Sequence, residues 1–279
     1  MAQLLKPILR MRLLVFLLAL LAMPSPAFAA EWVKIVYDRE VPALARANIE
    51  KAVGTVADLL AKHNLVLRDQ VTVLVTADAE SYIQARMLYL KEPRAVAEKE
   101  AKYTAGVSAV GKPLIILKGS PALNTSATEA FRVLPHEIFH QVQSQYGQAQ
   151  TAIWLTEGTP EVFQFVAREA AGLEKVSDNI RAAEQRIRQA PAIPDARQLA
   201  SYDYHVWDAM MQKYPVYQMA VLMTYKLIQD NGFENVVFFY QLLHSGTPAD
   251  RAFLAAFKVP MAWFLSDMNE YFAGLRRAQ

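Results

Sequence analysis

The residues of this 279-residue chain best suited to chemistry are His136-Glu137-Ile138-Phe139-His140, within "FRVLPHEIFHQVQSQYG". On a helix, residues four apart stand about 40° apart on one face, so both imidazoles can grip one divalent ion. Glu137 lies close beside them, within reach of a water held at that ion. This is the mechanical content of the H-E-x-x-H pattern. Two helical histidines by themselves are more often incidental; the glutamate sharpens the pattern and a third ligand decides it.

Such a site needs a rigid helix. Ser126-Ala127-Thr128-Glu129 has the form of a capping box, and Gly147 is placed as a helix stop, so the spacing predicts a helix over 127–146. Pro135 falls inside it. It has no N–H for the carbonyl of Phe131 and its ring crowds that carbonyl, a cost of about 3 kcal/mol unless the helix bends. A restart with Pro135 as first residue would put the positive helix end beside a dication. A bend is therefore expected.

Farther along comes "WLTEGTPE", Trp154 to Glu161. With these two motifs in this order, the chain resembles the gluzincin superfamily of zinc peptidases, and more closely the exported proteins described as peptidase MA-like. The resemblance covers about Val107 to the C-terminus. It implies a thermolysin-like catalytic domain and one Zn²⁺ per chain, held by His136, His140 and Glu157. Glu161 takes the place of an acid that orients a ligand histidine. It further implies that "YPVYQMAVLMTYKLIQ" carries Tyr217 into the site as an oxyanion donor. His205, in "SYDYHVW", is the rival for that role. His63 and His244 read as structural.

The activity so implied is peptide-bond hydrolysis of a peptide or protein substrate, with Glu137 as general base to a metal-activated water. The competing class is a catalytically silent exported binding or scaffold protein that keeps the fold. One family element is missing. No G-x-M-E-N segment precedes the helix, and "GVSAVGKPLIIL" stands in its approximate place without that glutamate. The resemblance therefore does not extend to gripping a free amino terminus.

Composition sets the surroundings. Lys6, Arg10 and Arg12 precede an apolar run from Leu13 to Met23, followed by "PSPAFAA". This reads as a signal peptide over 1–29, too short to span a bilayer, and predicts a periplasmic or secreted chain without stable membrane insertion once the leader is removed. Losing three basic residues changes the formal charge from +2 to −1. No basic patch then remains to suggest nucleic acid. The absence of cysteine excludes disulfides, thiolate ligands and a cysteine nucleophile.

With 53% hydrophobic residues, the chain can build a substantial core. From 31 to about 119, short β-rich runs (Trp32–Tyr37, Val71–Thr76, Pro113–Leu117) alternate with helical spacing. From Ser126 onward the pattern is helical, near 127–146, 154–171, 174–189, 214–230, 233–244, 249–257 and 261–275. The expectation is α+β: one domain over 30–279, with an α/β lobe (30–120) and a helical lobe (121–279) meeting at a cleft. Its walls come from Lys91–Gly106, read as a charged loop, and from the 189–213 connection.

Overall fold

A computed structural model describes residues 32–146 and 151–277. The leader and Gly147, the expected helix stop, lie outside the described residues. Among the described residues no helix is long and apolar enough to cross a membrane.

The fold is α+β, mostly helical with a small mixed sheet. β1 (Val33–Tyr37), α1 (Ala43–Lys62), β2 (Val71–Val75), α2 (Ala79–Ala85), α3 (Arg94–Tyr103), β3 (Gly106–Ser108) and β4 (Leu114–Leu117) come first. A turn of π-helix, Arg86–Leu90, extends α2. The strands lie in the order β1-β2-β4-β3; the first three are parallel, and β3 runs antiparallel along β4 at the edge. Among the described residues, helices then follow without a further strand: α4 (Pro121–Thr125), α5 (Ala127–Tyr146), α6 (Ile153–Ala170), α7 (Val176–Gln189), α8 (Tyr204–Met211), α9 (Val216–Asn231), α10 (Phe233–His244), α11 (Ala249–Phe257) and α12 (Met261–Arg277).

One continuous core joins the sheet to the helices. Val71, Val73 and Val75, alternate residues of β2, are fully buried, as period-2 patterning against a helical layer requires. They belong to the same cluster as Phe131, Leu134 and Ile138 of α5 and Trp154 and Phe163 of α6. A smaller cluster on Tyr82, Ala97 and Ile116 fastens α2 and α3 to the sheet.

The expected loop over Lys91–Gly106 is largely a helix. "RAVAEKEAKY" buries Ala97 and Ala101 one turn apart, and Arg94 bonds Glu98 across the next turn at 2.7 Å. Its charge marks a solvated helix face, not an irregular loop. The 189–213 connection likewise holds a 3-10 turn, Ala196–Ala200, and α8.

α5 runs unbroken through Pro135 from Ala127 to Tyr146, so the helix does not restart there. The capping box forms only in half. Ser126 Oγ accepts from the Glu129 N–H at 3.4 Å, whereas the Ser126 N–H donates to Ala122. The Glu129 carboxylate turns instead to Arg132, at 2.7 and 2.9 Å. A full positive charge within reach outcompetes a backbone amide.

Candidate metal centre

α5 and α6 pack side by side and bring three lone-pair donors together. His136 Nε2 and His140 Nε2 stand 3.0 Å apart. Glu157 Oε2, from the first turn and a half of α6, lies 3.8 Å from each. These three are the described residues whose ligand atoms converge as a metal site would require, all within 4.8 Å of one another. Zinc with two imidazoles at about 2.0–2.1 Å in tetrahedral array holds the two nitrogens about 3.3 Å apart, so the set fits a divalent ion.

The far nitrogen of each ring is already committed. His136 Nδ1 faces Glu161 Oε1 at 3.4 Å. His140 Nδ1 faces Gln143 Oε1 at 2.8 Å. The orientation of the Gln143 amide is set at its other end. Its Nε2 reaches the Thr156 carbonyl at 2.9 Å, an acceptor only, so nitrogen must sit there and oxygen must face His140. Both partners of the rings are acceptors, so each Nδ1 holds a proton for its partner. The two Nε2 atoms are left facing each other and Glu157, with a proton shared between them at 3.0 Å.

Pro160 prepares this arrangement. It lies inside α6 and has no N–H for the carbonyl four residues back, which is that of Thr156. The orphaned carbonyl takes the Gln143 amide instead. The same amide donates to Tyr240 Oη at 2.8 Å, and Tyr240 donates to the Leu155 carbonyl at 3.2 Å. The chain of bonds is buried throughout, so His140 is held by a network that water does not loosen.

Glu137 lies on the sheet side. Gln141 Nε2 bonds Ser108 Oγ at 2.7 Å, pinning α5 to the edge strand. Gly106 permits the approach: a Cβ there would stand 2.8 Å from Val133 Cγ1 and 3.1 Å from Glu137 Cγ. Gly158 serves the other packing face, where a Cβ would meet the Ala220 carbonyl oxygen of α9 at 2.6 Å. The glycine of "WLTEG" is thus a contact residue between helices.

Burial and neighbouring charge set the protonation states. Burial pushes the Glu137 carboxyl up to about 7, with Glu157 adding to the rise and His136 and the Ser108 N–H opposing it. Burial disfavours the His136 imidazolium, but the Glu161 hydrogen bond and the charges of Glu161, Glu137 and Glu157 carry it up to about 9. His140 goes the other way, down to about 4, through burial and the adjacent His136 charge. Burial works against the Glu161 carboxylate, but His136 and Gln164 hold its pKa below the ordinary carboxylate value.

Two phenols close the site. Tyr217 Oη donates to Glu157 Oε2 at 3.1 Å, and Tyr204 Oη to Glu157 Oε1 at 3.0 Å. Burial and the Glu157 charge raise Tyr217 well above its usual value, so it stays a donor. His205 is not brought to the site. It is exposed at the start of α8, where its backbone N–H is capped by Asp203 at 2.8 Å, and its neighbour Tyr204 enters the cleft instead. His63 pairs with Glu234 at 2.8 Å and His244 with Arg68 at 3.2 Å, both away from the three converging donors.

Sequence reasoning misses Gln143, Tyr240, Tyr204 and Ser108. Gln143 is the most accessible of these: it lies one turn beyond His140 on its own helix.

Two cavities meet at the site, sharing Tyr103, Thr104, Gly106, His136, Glu137 and Tyr217. One, of about 940 Å³, also reaches His140, Glu157, Tyr204 and Trp207. The other, of about 550 Å³, extends past Glu161 to α7. α3 and α8 supply walls of the larger one through Tyr103 and Met211.

Compared with protein-family models, curated proteins and solved structures, the chain matches none.

Proposed function

We propose that the chain is a zinc-dependent peptidase of the gluzincin type, with a thermolysin-like catalytic domain. The observation that carries this reading is the commitment of both Nδ1 atoms to acceptors while both Nε2 atoms and Glu157 Oε2 converge. Two imidazole nitrogens and a carboxylate oxygen gathered at one spot make a ligand set for a cation, which would displace the proton His136 otherwise carries.

His136, His140 and Glu157 would hold Zn²⁺. A cation there supplies Lewis acidity, lowering the pKa of an adjacent water from ~15.7 towards ~7. Glu137, charged beside that cation, would take the water's proton and pass it to the leaving amine. Glu161 and Gln143 fix the two rings, keeping the nitrogens aimed. Tyr217 and Tyr204 each have a phenol that can turn from Glu157 to a developing oxyanion.

The edge strand suits an extended peptide. Ala105 bonds Lys118 and Ala109 bonds Leu114, at 2.8 Å each, so the intervening Gly106 and Ser108 turn their backbone groups to the edge. There Glu137 takes the Ser108 N–H and leaves the Gly106 groups and the Ser108 carbonyl. A substrate backbone can pair there beside Glu137.

The test is Glu137→Gln. The variant should bind one zinc per chain by elemental analysis and hydrolyse no peptide in a mixed library followed by mass spectrometry. Normal hydrolysis by this variant would overturn the assignment of the base. A wild-type chain that binds zinc and cleaves nothing is instead the silent scaffold.

A further inference from the structure

The two cavities differ in chemistry. Away from the residues the two share, the larger has Val107, Val110, Trp207 and Met211 beside the acids Glu100 and Asp208. The smaller carries Arg132 and Arg186 on its wall away from the metal centre. Its two carboxylates are already used, Glu161 by His136 and Gln164, and Glu137 as the base.

Arg186 is the telling residue. Its neighbours on α7 have acids within a turn: Arg181 pairs with Asp178, and Arg188 with Glu184 at 3.9 Å. Positions three and four residues from Arg186 are Ala182, Ala183, Gln189 and Ala190, so the helix offers it no acid. Among the described residues it makes no hydrogen bond or ion pair, and it lines the cavity where Ala182 and Ala183 leave room beneath it. Arg132 lends its charge to the same wall while bonded to Glu129.

Resting on the peptidase reading, we infer that this smaller cavity is a subsite for a carboxylate of the substrate, an acidic side chain or a terminal carboxylate next to the cleaved bond. A guanidinium presents a fork that fits a carboxylate with two parallel bonds, and Arg186 is exposed at the cavity wall, where it can present that fork. A small floor leaves space for the side chain that brings the carboxylate in.

The experiment uses the zinc-loaded chain and blocked heptapeptides built on a sequence cut in a mixed library. They differ by Glu, Gln or Lys at each position flanking the cut, and by a free or amidated C-terminus. Relative kcat/KM is read for wild type, Arg186→Gln and Arg186→Glu. Fluorescence anisotropy of the same peptides on Glu137→Gln, with and without Arg186→Gln, reads binding without turnover; if no peptide is cut, random blocked heptapeptides matched in Glu or Gln serve as the probe.

The expected result is a preference for the acid over its amide of roughly two- to fivefold, the range for an exposed ion pair. It should fall towards one in Arg186→Gln and invert towards Lys in Arg186→Glu. Whether Glu or the free C-terminus carries the preference tells the two sources apart. Equal cleavage of acid and amide overturns the subsite and leaves the peptidase standing. No cleavage, but acid-selective binding lost with Arg186, overturns the peptidase and supports the subsite. Neither cleavage nor acid-selective binding overturns both.

Discussion

The side-chain amide of Gln143 donates to the Thr156 carbonyl at 2.9 Å, on a helix turn where Pro160 has no N–H to offer that carbonyl. This bond between α5 and α6 orients the amide whose oxygen holds His140. A helix-breaking residue thus serves the His140 ring, two residues removed from it in the chain of contacts.

Removing the oxygen should loosen the ring. Gln143→Leu is expected to weaken zinc binding by about 10–100-fold, the usual cost of losing the partner that orients a ligand histidine. Competition against a chromophoric chelator measures it. Zinc affinity equal to wild type would mean that packing alone orients His140.

Pro160→Ala tests the same bond from the other side. The restored N–H would compete for the Thr156 carbonyl, so zinc binding should weaken several-fold. The helix itself should gain, because a proline in a helix interior costs about 3 kcal/mol. Opposite signs in a metal-free melting curve and a zinc titration are the expected signature. Tighter zinc binding in the alanine variant would show that the proline does not serve the site.

Legibility in the sequence varies with what each feature depends on. His136, Glu137 and His140 are local: helical periodicity alone puts them together, and α5 has the expected bounds. β1, β2, β4 and most helices are likewise readable from period, whereas β3, three residues beginning at Gly106, is too short to show one. Glu157 requires the resemblance, since no local rule brings residues on separate helices to one point. α3 escapes a reading by charge, because its solvated face looks like an irregular loop, although alanines four apart mark a buried stripe. Tyr204 loses to His205 while α8 reads as a connection; on a helix, a shift of one residue turns a side chain by about 100°. Arg186 has no motif at all: what singles it out is the absence of an acid one turn away.

The approach of β3 to α5 predicts a separation of binding from turnover. Gly106→Ala would place a methyl 3.1 Å from Glu137 Cγ and closer still to Val133. His136, His140 and Glu157 are not among the nearest neighbours of that methyl, so zinc content should stay at one per chain. Hydrolysis should fall by about tenfold or more, because an ångström-scale misplacement of a reacting group costs that order of rate. Rates equal to wild type would show that the strand yields without moving the base.

The protonation of Glu137 gives a prediction for the metal-free chain. Its carboxyl is held at about 7 against an ordinary value of 4.5. Between those pH values the unfolded chain loses this proton while the folded chain keeps it, so stability falls as pH rises through the window. The penalty is absent below 4.5 and complete above 7. Glutamine does not titrate and bears none of it. In EDTA, Glu137→Gln should therefore melt near wild type at pH 4.5 and gain steadily to pH 7.5, by on the order of 2 kcal/mol. His136 acts in the opposite sense: raised from 6.5 to about 9, it contributes stability below 6.5 that is lost as pH climbs through 9. Part of that rise comes from Glu137, so the variant forfeits some of it and the measured gap is smaller than the carboxyl alone would give. Saturating zinc should shrink the gap further, since a cation beside Glu137 stabilises its charged form. A gap that does not change with pH in EDTA would mean that Glu137 is as well solvated in the folded chain as in the unfolded one.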